Sequence, residues 1–328
     1  MADPTDYTVG WICAISTEYI AARAFLDEKH DTPEHLSPND NNIYTLGSIG
    51  KHKVVIAALP DGEYGLVTAA DVAGDMLNTF PNVRIALMVG IGGGAPIKKH
   101  DIRLGDVVVS AARSGRGGVL QYDFGKTIQD QTFQTKEAPS ILRGAVLNMK
   151  AEYEGEGHLL EDSINAIFER QPELREKYKR PDIRSDRLYK SEYVHPVSSD
   201  AACLVACGED TLYQISRRER IFINGDDNPT IHYGRIASAN QLMKDALLRD
   251  KLAEEHNVLC FETEAAGLTN QFPCLVIRGI CDFADSHKNK EWQGYAAMMA
   301  AAYAKDLLRQ IPPSKVEAEK KIVEIMSS

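Results

Sequence analysis

The sequence predicts an α/β fold: a three-layer αβα arrangement around a twisted, mostly parallel (mixed) central sheet. Three observations carry this reading. Short apolar runs of strand length alternate with helical segments along most of the chain. Several of those runs are apolar throughout rather than alternating, as strands buried on both faces are. And 328 residues at 44% hydrophobic and 26% charged supply a core that needs no disulfide staples.

In chain order, YTVGWICAI (7–15) reads as the first buried strand, and 17–28 as a helix with alanines on its inner side. Residues 43–60 read as a β-hairpin around Gly50-Lys51. Residues 64–80 form a helix closed by Pro81. RIALMVGI (84–91) is a central parallel strand, followed by a glycine-rich turn, and GDVVVSAAR (105–113) is another strand. Strands at 231–238, 257–263 and 273–281 complete the sheet, with helices at 240–256, 264–271 and 292–308. The last carries a dense alanine face.

The stretch 140–230 differs. It holds charged helices at 141–152 and 159–179, then an irregular Arg/Asp/Tyr segment. It reads as a helical and irregular insertion into a domain spanning 1–312, placed to cover a site or to build a subunit contact. Pro312-Pro313 marks a boundary, and 313–328 reads as a charged C-terminal tail.

A net charge of −10 argues against a nucleic-acid or anionic-membrane partner, since both attract basic surfaces. The cluster Arg217-Arg218 with Arg220 is short, mixed with acids, and reads as a solvated face. Met1 is not followed by a secretory signal, and no run of 18 apolar residues exists to span a bilayer. The expected compartment is the cytoplasm. Of six cysteines, Cys203 and Cys207 make the one candidate metal pair. No His-x-x-x-His completes a site, so two buried helix cysteines is the preferred reading and no metal is expected.

Four segments carry chemistry, each at a strand end, where open α/β sheets bind ligands. In AISTEYIAA (14–22), Glu18 sits one turn into a helix. The helix dipole alone favours an acid there. In IGGGAP (91–96), three glycines let a backbone approach a flat or anionic group, though this is no G-x-x-x-x-G-K-[ST] loop. In CFETEAAGL (260–268), Glu262 and Glu264 end an apolar run, and burying an ionised carboxylate demands a partner in the fold or in a ligand. In RGICDFAD (278–285), Asp282 follows a strand directly, where it also serves to cap a loop.

Taken in order, A-x-x-x-E on a first helix, V-G-x-G-G-G-A-P then L-G-D-V-V-V-S, E-x-E-A-A-G, and R-G-I-C-D resemble the nucleoside phosphorylase/nucleosidase superfamily. The likeness is greatest to its fungal branch, whose domains often stand before NTPase or repeat domains. It covers roughly 7–135 and 231–310. The resemblance implies a nucleoside phosphorylase-like fold and assigns roles. Glu264 matches the carboxylate that takes the 2′ and 3′ ribose hydroxyls, a fork suited to an ionised acceptor. Glu262 supports it. Thr263 replaces the usual methionine under the ribose. Asp282 matches the acid that protonates purine N7, worth on the order of 10²–10⁴ in rate. Arg278 orients Asp282 or forms the back wall. Gly92 and Gly93, with the loop residues Asn240, Gln241 and Leu242, face the base.

The hydrolases of this superfamily activate water with a glutamate on the first helix, where Glu18 falls. The phosphorylases place arginine and serine or threonine where this chain has Met88 and Ile91, and an apolar Ile91 cannot hold a dianion. The resemblance thus implies a metal-independent, cofactor-free purine nucleosidase and homo-oligomeric assembly, with a purine nucleoside as the partner molecule. A phosphorylase using Arg113, Arg116, Arg184 or Arg187 is the first alternative, and a nucleoside-sensing module without turnover the second. Arg187, Tyr189 and Tyr193 of the insertion either reach the base or 5′-hydroxyl or lie at the surface.

Overall fold

The fold was analysed in a computed structural model, which describes residues 2–33, 35–112, 117–123, 137–196, 203–207, 211–218, 220, 228–271, 273–288 and 290–327. In chain order the elements are β1 (Val9–Cys13), α1 (Ser16–Ala24), β2 (Glu28–His30), β3 (Tyr44–Ile49), β4 (His52–Ala58), α2 (Leu66–Thr79), β5 (Ile85–Gly94), β6 (Val107–Ser110) and β7 (Val119–Gln121). Then follow α3 (Ser140–Glu156), α4 (Leu160–Arg170), α5 (Arg175–Tyr178), α6 (Cys203–Ala206), β8 (Ile231–Ser238), α7 (Ala246–His256), β9 (Val258–Glu262), α8 (Ala265–Gln271), β10 (Leu275–Asp282), α9 (Gln293–Gln310), α10 (Pro313–Ala318) and α11 (Ile322–Met326).

These strands form one mixed sheet flanked by helices, in the order β10-β6-β8-β9-β5-β1-β4-β3-β2, with β7 beside β8. Strand β5 also pairs with β10, so β5, β10, β6, β8 and β9 close into a ring. The ring is possible because β5 is long. Gly92, Gly93 and Gly94 do not turn the chain as the sequence suggested. They extend the strand, pairing in parallel with Ile280 and Asp282 on one side and antiparallel with Phe261 and Cys260 on the other. Residues without side chains allow β9 and β10 to converge on β5 from both edges.

Helix α9 is the spine of one helical layer. Fourteen of its 18 residues are buried, the pattern of a helix enclosed on nearly all sides. Its alanines permit close approach to β10: a Cβ on Gly279 would run into the carbonyl oxygen of Ala296. Helices α3, α4 and α5 all pack on α9. The helix expected over 159–179 breaks at Gln171-Pro172, because proline lacks the N–H that would continue it; a 3-10 turn at Pro172–Leu174 and then α5 take over.

The segment after Pro312-Pro313, expected as a charged tail, folds back. Val316 and Ile322 are fully buried, and Ile322 N–H donates to Val83 C=O at 2.9 Å. Two apolar residues spaced to meet the core outweigh the charges around them. The Asp of L-G-D-V-V-V-S has a structural job. Asp106 is fully buried and accepts from Arg103 N–H, Thr230 N–H, His232 and Arg220 at 2.6–2.9 Å. Burial alone would raise its carboxyl; His232 and Arg220 outweigh it and hold the group down at about 2.

Candidate active site

One cavity of about 470 Å³ opens at the strand ends, lined by Glu18, Ile91, Gly92, Gly93, Phe261, Glu262, Thr263, Glu264 and Asp282 among others. Each side chain arrives by a local device. Glu18 is the third residue of α1 and reaches back to the turn before it, as in half of a capping box. Its Oε2 accepts from Ala14 N–H at 2.6 Å and Ile15 N–H at 3.2 Å, while Oε1 accepts from Ile91 N–H at 2.8 Å. A carboxylate offers about four lone-pair positions, so capacity for one more donor is left. Burial pushes the Glu18 carboxyl up from its ordinary range, against Arg278 and the three N–H donors.

Glu262 ends β9 and turns back over the start of α8. Its Oε2 accepts from Glu264 N–H at 3.1 Å and Ala265 N–H at 2.9 Å. Its Oε1 is buried with no hydrogen-bond partner among the described residues. Glu264 receives the Thr263 hydroxyl on Oε1. Burial, then the charge of Glu262, pushes Glu264 up to about 7, with Arg278 and Thr263 opposing.

Beneath these three glutamates lies Arg278, fully buried. Its Nη2 is 2.5 Å from Glu262 Oε2 and 3.5 Å from Glu264 Oε2; its Nη1 is 3.8 Å from Glu18 Oε1. Burial disfavours the guanidinium charge, and Glu262, Glu264 and Glu18 outweigh burial. The expectation that Arg278 orients Asp282 is therefore corrected. Arg278 alternates along β10 onto the face that meets Glu18, Glu262 and Glu264, and it is their shared counter-charge.

Asp282 sits where β10 is irregular against β5. Ala284 N–H donates to its Oδ1 at 2.8 Å, and Lys288 Nζ lies 3.2 Å from the same oxygen. Ala284 has φ 51°, a left-handed turn that folds the chain back over the carboxylate. A Cβ on Gly93 would stand 2.6 Å from Asp282 Oδ1 and 2.8 Å from Ala284 Cβ, so the glycine makes room for the acid.

Among the residues expected at the base, Gly92, Gly93 and Leu242 line the cavity, and Asn240 and Gln241 do not. Asn240 is exposed, and its side-chain oxygen accepts from Leu66 N–H at 3.1 Å at the start of α2. Helix starts present free N–H groups, and an asparagine satisfies one. Gln241 offers its backbone carbonyl to the Tyr122 hydroxyl at 3.2 Å. Met88 is buried, with its sulfur 3.3 Å from Arg278 Nη2.

The sequence reading missed Phe261 as a cavity wall, and missed Lys244, Lys288 and Lys290, which line the same cavity. The K-N-K run directly after C-D-F-A-D-S-H was the available signal. A second cavity of about 430 Å³ shares Asp282 and Cys281 with the first and is lined also by Arg184, Arg187 and Tyr189 of the insertion. Tyr193 stacks on Tyr213 at 4.3 Å between centroids. Arg184 is exposed and paired with Asp182 at 2.6 Å. Arg113 and Arg116 lie outside the described residues.

The chain is 44% identical over 318 residues to a nucleotide-binding leucine-rich repeat (NLR)-like protein of Hyaloscypha variabilis, covering 96% of this chain and 30% of that protein. It is 22% identical to the 5′-methylthioadenosine/S-adenosylhomocysteine nucleosidase of Mycobacterium bovis, covering 93% and 97% of the two chains. To the ATP nucleosidase Cap17 of Escherichia coli it is 22% identical, covering 91% of this chain and 50% of that one. In structure it resembles the 5′-methylthioadenosine/S-adenosylhomocysteine nucleosidase of Helicobacter pylori, with a TM-score of 0.59, 14% identity, and 93% and 99% of the chains covered. In fold and in distant sequence similarity the chain resembles the nucleoside phosphorylase/nucleosidase superfamily. No protein-family model matches it. The shared fold includes the mixed sheet, and here the cavity opens at the ends of β5, β9 and β10. The chain spans less than a third of the NLR-like protein and half of Cap17. Among the described residues no helix is long and apolar enough to cross a membrane.

Proposed function

We propose that the cavity hydrolyses the N-glycosidic bond of a purine nucleoside to free base and ribose, with no metal or cofactor in the chemistry. The observation that carries this reading is the meeting of Glu18, Glu264 and Asp282, distant in sequence, around one cavity floored by glycines. Glu264 accepts the two ribose hydroxyls, with Thr263 and Glu262 holding it in place. The base lies against Gly92 and Gly93, between Ile91 and Phe261. Asp282 shares a proton with N7, so that the base departs neutral. The sugar gains oxocarbenium character, stabilised by the carboxylates beneath it. Glu18, with its remaining lone pair, takes a proton from the attacking water. Arg278 keeps two of these carboxylates, Glu18 and Glu264, close together without mutual repulsion.

Water is favoured over phosphate because Met88 and Ile91 offer no donor beside the reacting carbon. The hydrolytic names of the M. bovis and H. pylori relatives agree with this. Replacing Glu18 by Gln tests it: turnover should fall by about 10²–10⁴ while the nucleoside still binds. Unchanged turnover would remove Glu18 from the reaction.

A second reading of the substrate is favoured by one observation. Lys288, Lys290 and Lys244 line the cavity, and a lysine ammonium is a common phosphate partner. A purine nucleotide with a 5′-phosphate chain fits three cations better than a neutral nucleoside does, and Cap17 is named an ATP nucleosidase. In a Lys288→Ala variant, ATP cleavage should fall at least about tenfold more than adenosine cleavage. An equal fall for both removes the nucleotide reading. We also propose a homo-oligomer: Tyr64, 65% exposed, and Leu242, 54% exposed, offer apolar surface at the cavity mouth. A single-chain mass by analytical ultracentrifugation ends that proposal.

A further inference from the structure

Cys203 opens the one-turn helix α6 and Cys207 directly follows it, its N–H donating to the Cys203 carbonyl at 2.8 Å, so the two, four residues apart, lie on one side. The fold brings two histidines to them that no local motif announces: His195 from the segment before, and His287 from the loop after β10. Cys203 Sγ lies 3.4 Å and Cys207 Sγ 3.3 Å from His195 Nδ1. One donor atom each from His195, Cys207 and His287 lies within 4.8 Å of the other two, and Cys203 Sγ is 3.4 Å from the His287 carbonyl. Ordinary hydrogen bonds account for both thiols, one to His195 and one to that carbonyl. They leave the His287 ring unexplained. Both its nitrogens are buried without a hydrogen-bond partner among the described residues, and its side chain is 4% exposed. Leaving such a group unsatisfied costs about 1–3 kcal/mol.

We propose that His195, Cys203, Cys207 and His287 form a structural zinc site, which fastens the insertion to the loop that follows Asp282. Two thiols and two imidazoles are the donor set of closed, four-coordinate zinc sites. Zinc–sulfur and zinc–nitrogen bonds of about 2.3 and 2.05 Å at the tetrahedral angle put the ligand atoms about 3.6 Å apart, close to the two sulfur–nitrogen separations here. The surroundings suit a metal-bound imidazole. Asp285 Oδ2 is 3.8 Å from His287 Nδ1, which leaves Nε2 for the ion and gives the ring a carboxylate behind it. Asp285 is itself braced by buried Arg249 at 3.7 Å. Tyr189 stacks on the His287 ring at 4.0 Å, and His195 N–H donates to Ser286 Oγ at 2.9 Å. With four protein ligands the ion has no open position, so it orders the chain rather than activating water. What it orders borders the active cavity, since the residue after His287 is Lys288, the partner of Asp282. The inference stands on these contacts and does not depend on the reaction assigned to the cavity.

The test is metal analysis of the whole chain, purified without chelator. About one zinc per chain is expected, and Cobalt(II) exchanged into the site should show thiolate-to-cobalt charge-transfer absorption and tetrahedral d–d bands. The Cys203→Ser/Cys207→Ser double variant should lose both the zinc and the charge-transfer band. Asp285→Asn should keep the band and bind zinc about 10–100-fold more weakly. A folded wild-type chain that purifies without zinc and gives no charge-transfer band with cobalt(II) overturns the proposal. So does a Cys203–Cys207 disulfide, read as two thiols missing on titration of the denatured chain. If the double variant is insoluble, the wild-type cobalt spectrum decides alone.

Discussion

Replacing Arg278 by methionine isolates what holds three glutamates together in a buried cavity. Methionine keeps most of the hydrocarbon volume and removes the one cation within 4 Å of Glu18, Glu262 and Glu264 among the described residues. Breaking a buried ion pair by deleting one partner costs about 3–5 kcal/mol. That is a large part of a total stability of about 5–15 kcal/mol, and on the order of 10 °C in melting temperature. The loss must depend on pH. Without the guanidinium, the folded-state pKa values of Glu18 and Glu264, both already raised by burial, rise further; Glu264 already stands at about 7. A carboxyl raised on folding binds more protons folded than unfolded. Its stabilising contribution is whole below the unfolded pKa of about 4.5 and is lost as pH rises through the folded value. The deficit of Arg278→Met should therefore be small near pH 5 and largest at about pH 8 and above. Urea unfolding of both proteins at the two pH values measures it. A deficit of equal size at both would mean that lost packing, not uncompensated charge, is responsible.

Two further predictions concern the same cavity. Gly93→Ala puts a methyl group 2.6 Å from Asp282 Oδ1; it should cost about 1–3 kcal/mol of stability and lower kcat at least about tenfold, and unaltered kcat would show that Asp282 is not held by this contact. Ligand affinity should follow the ionisation of Glu264: roughly constant above pH about 7 and falling about tenfold per unit below it, with proton release on binding. Titration calorimetry in buffers of different ionisation heat reads that proton, and a pH-independent affinity without it removes Glu264 as the ionised acceptor.

Much of the fold was legible because burial writes itself into composition. The strand at 231–238 coincides with β8, and the four chemical segments meet because each directly adjoins a buried strand. What was hidden depends on distance. Whether Gly92 to Gly94 turn or continue is decided by β9 and β10, which pair with them from opposite edges. Asn240 has the chemistry of a base contact and spends it on the N–H of Leu66, far away in sequence. Arg278 showed nothing local of its three glutamate partners. Cys203 and Cys207 are likewise one half of a cluster whose other half, His195 and His287, lies on either side of them in the sequence.

The most direct test of the central claim is to incubate the chain with adenosine, inosine, guanosine, 5′-methylthioadenosine and ATP, with and without inorganic phosphate, and to assay free base and reducing sugar. The account predicts free purine and reducing sugar in phosphate-free buffer, abolished by Glu18→Gln. Release that requires phosphate and yields a sugar 1-phosphate, or binding with no product under either condition, would contradict it.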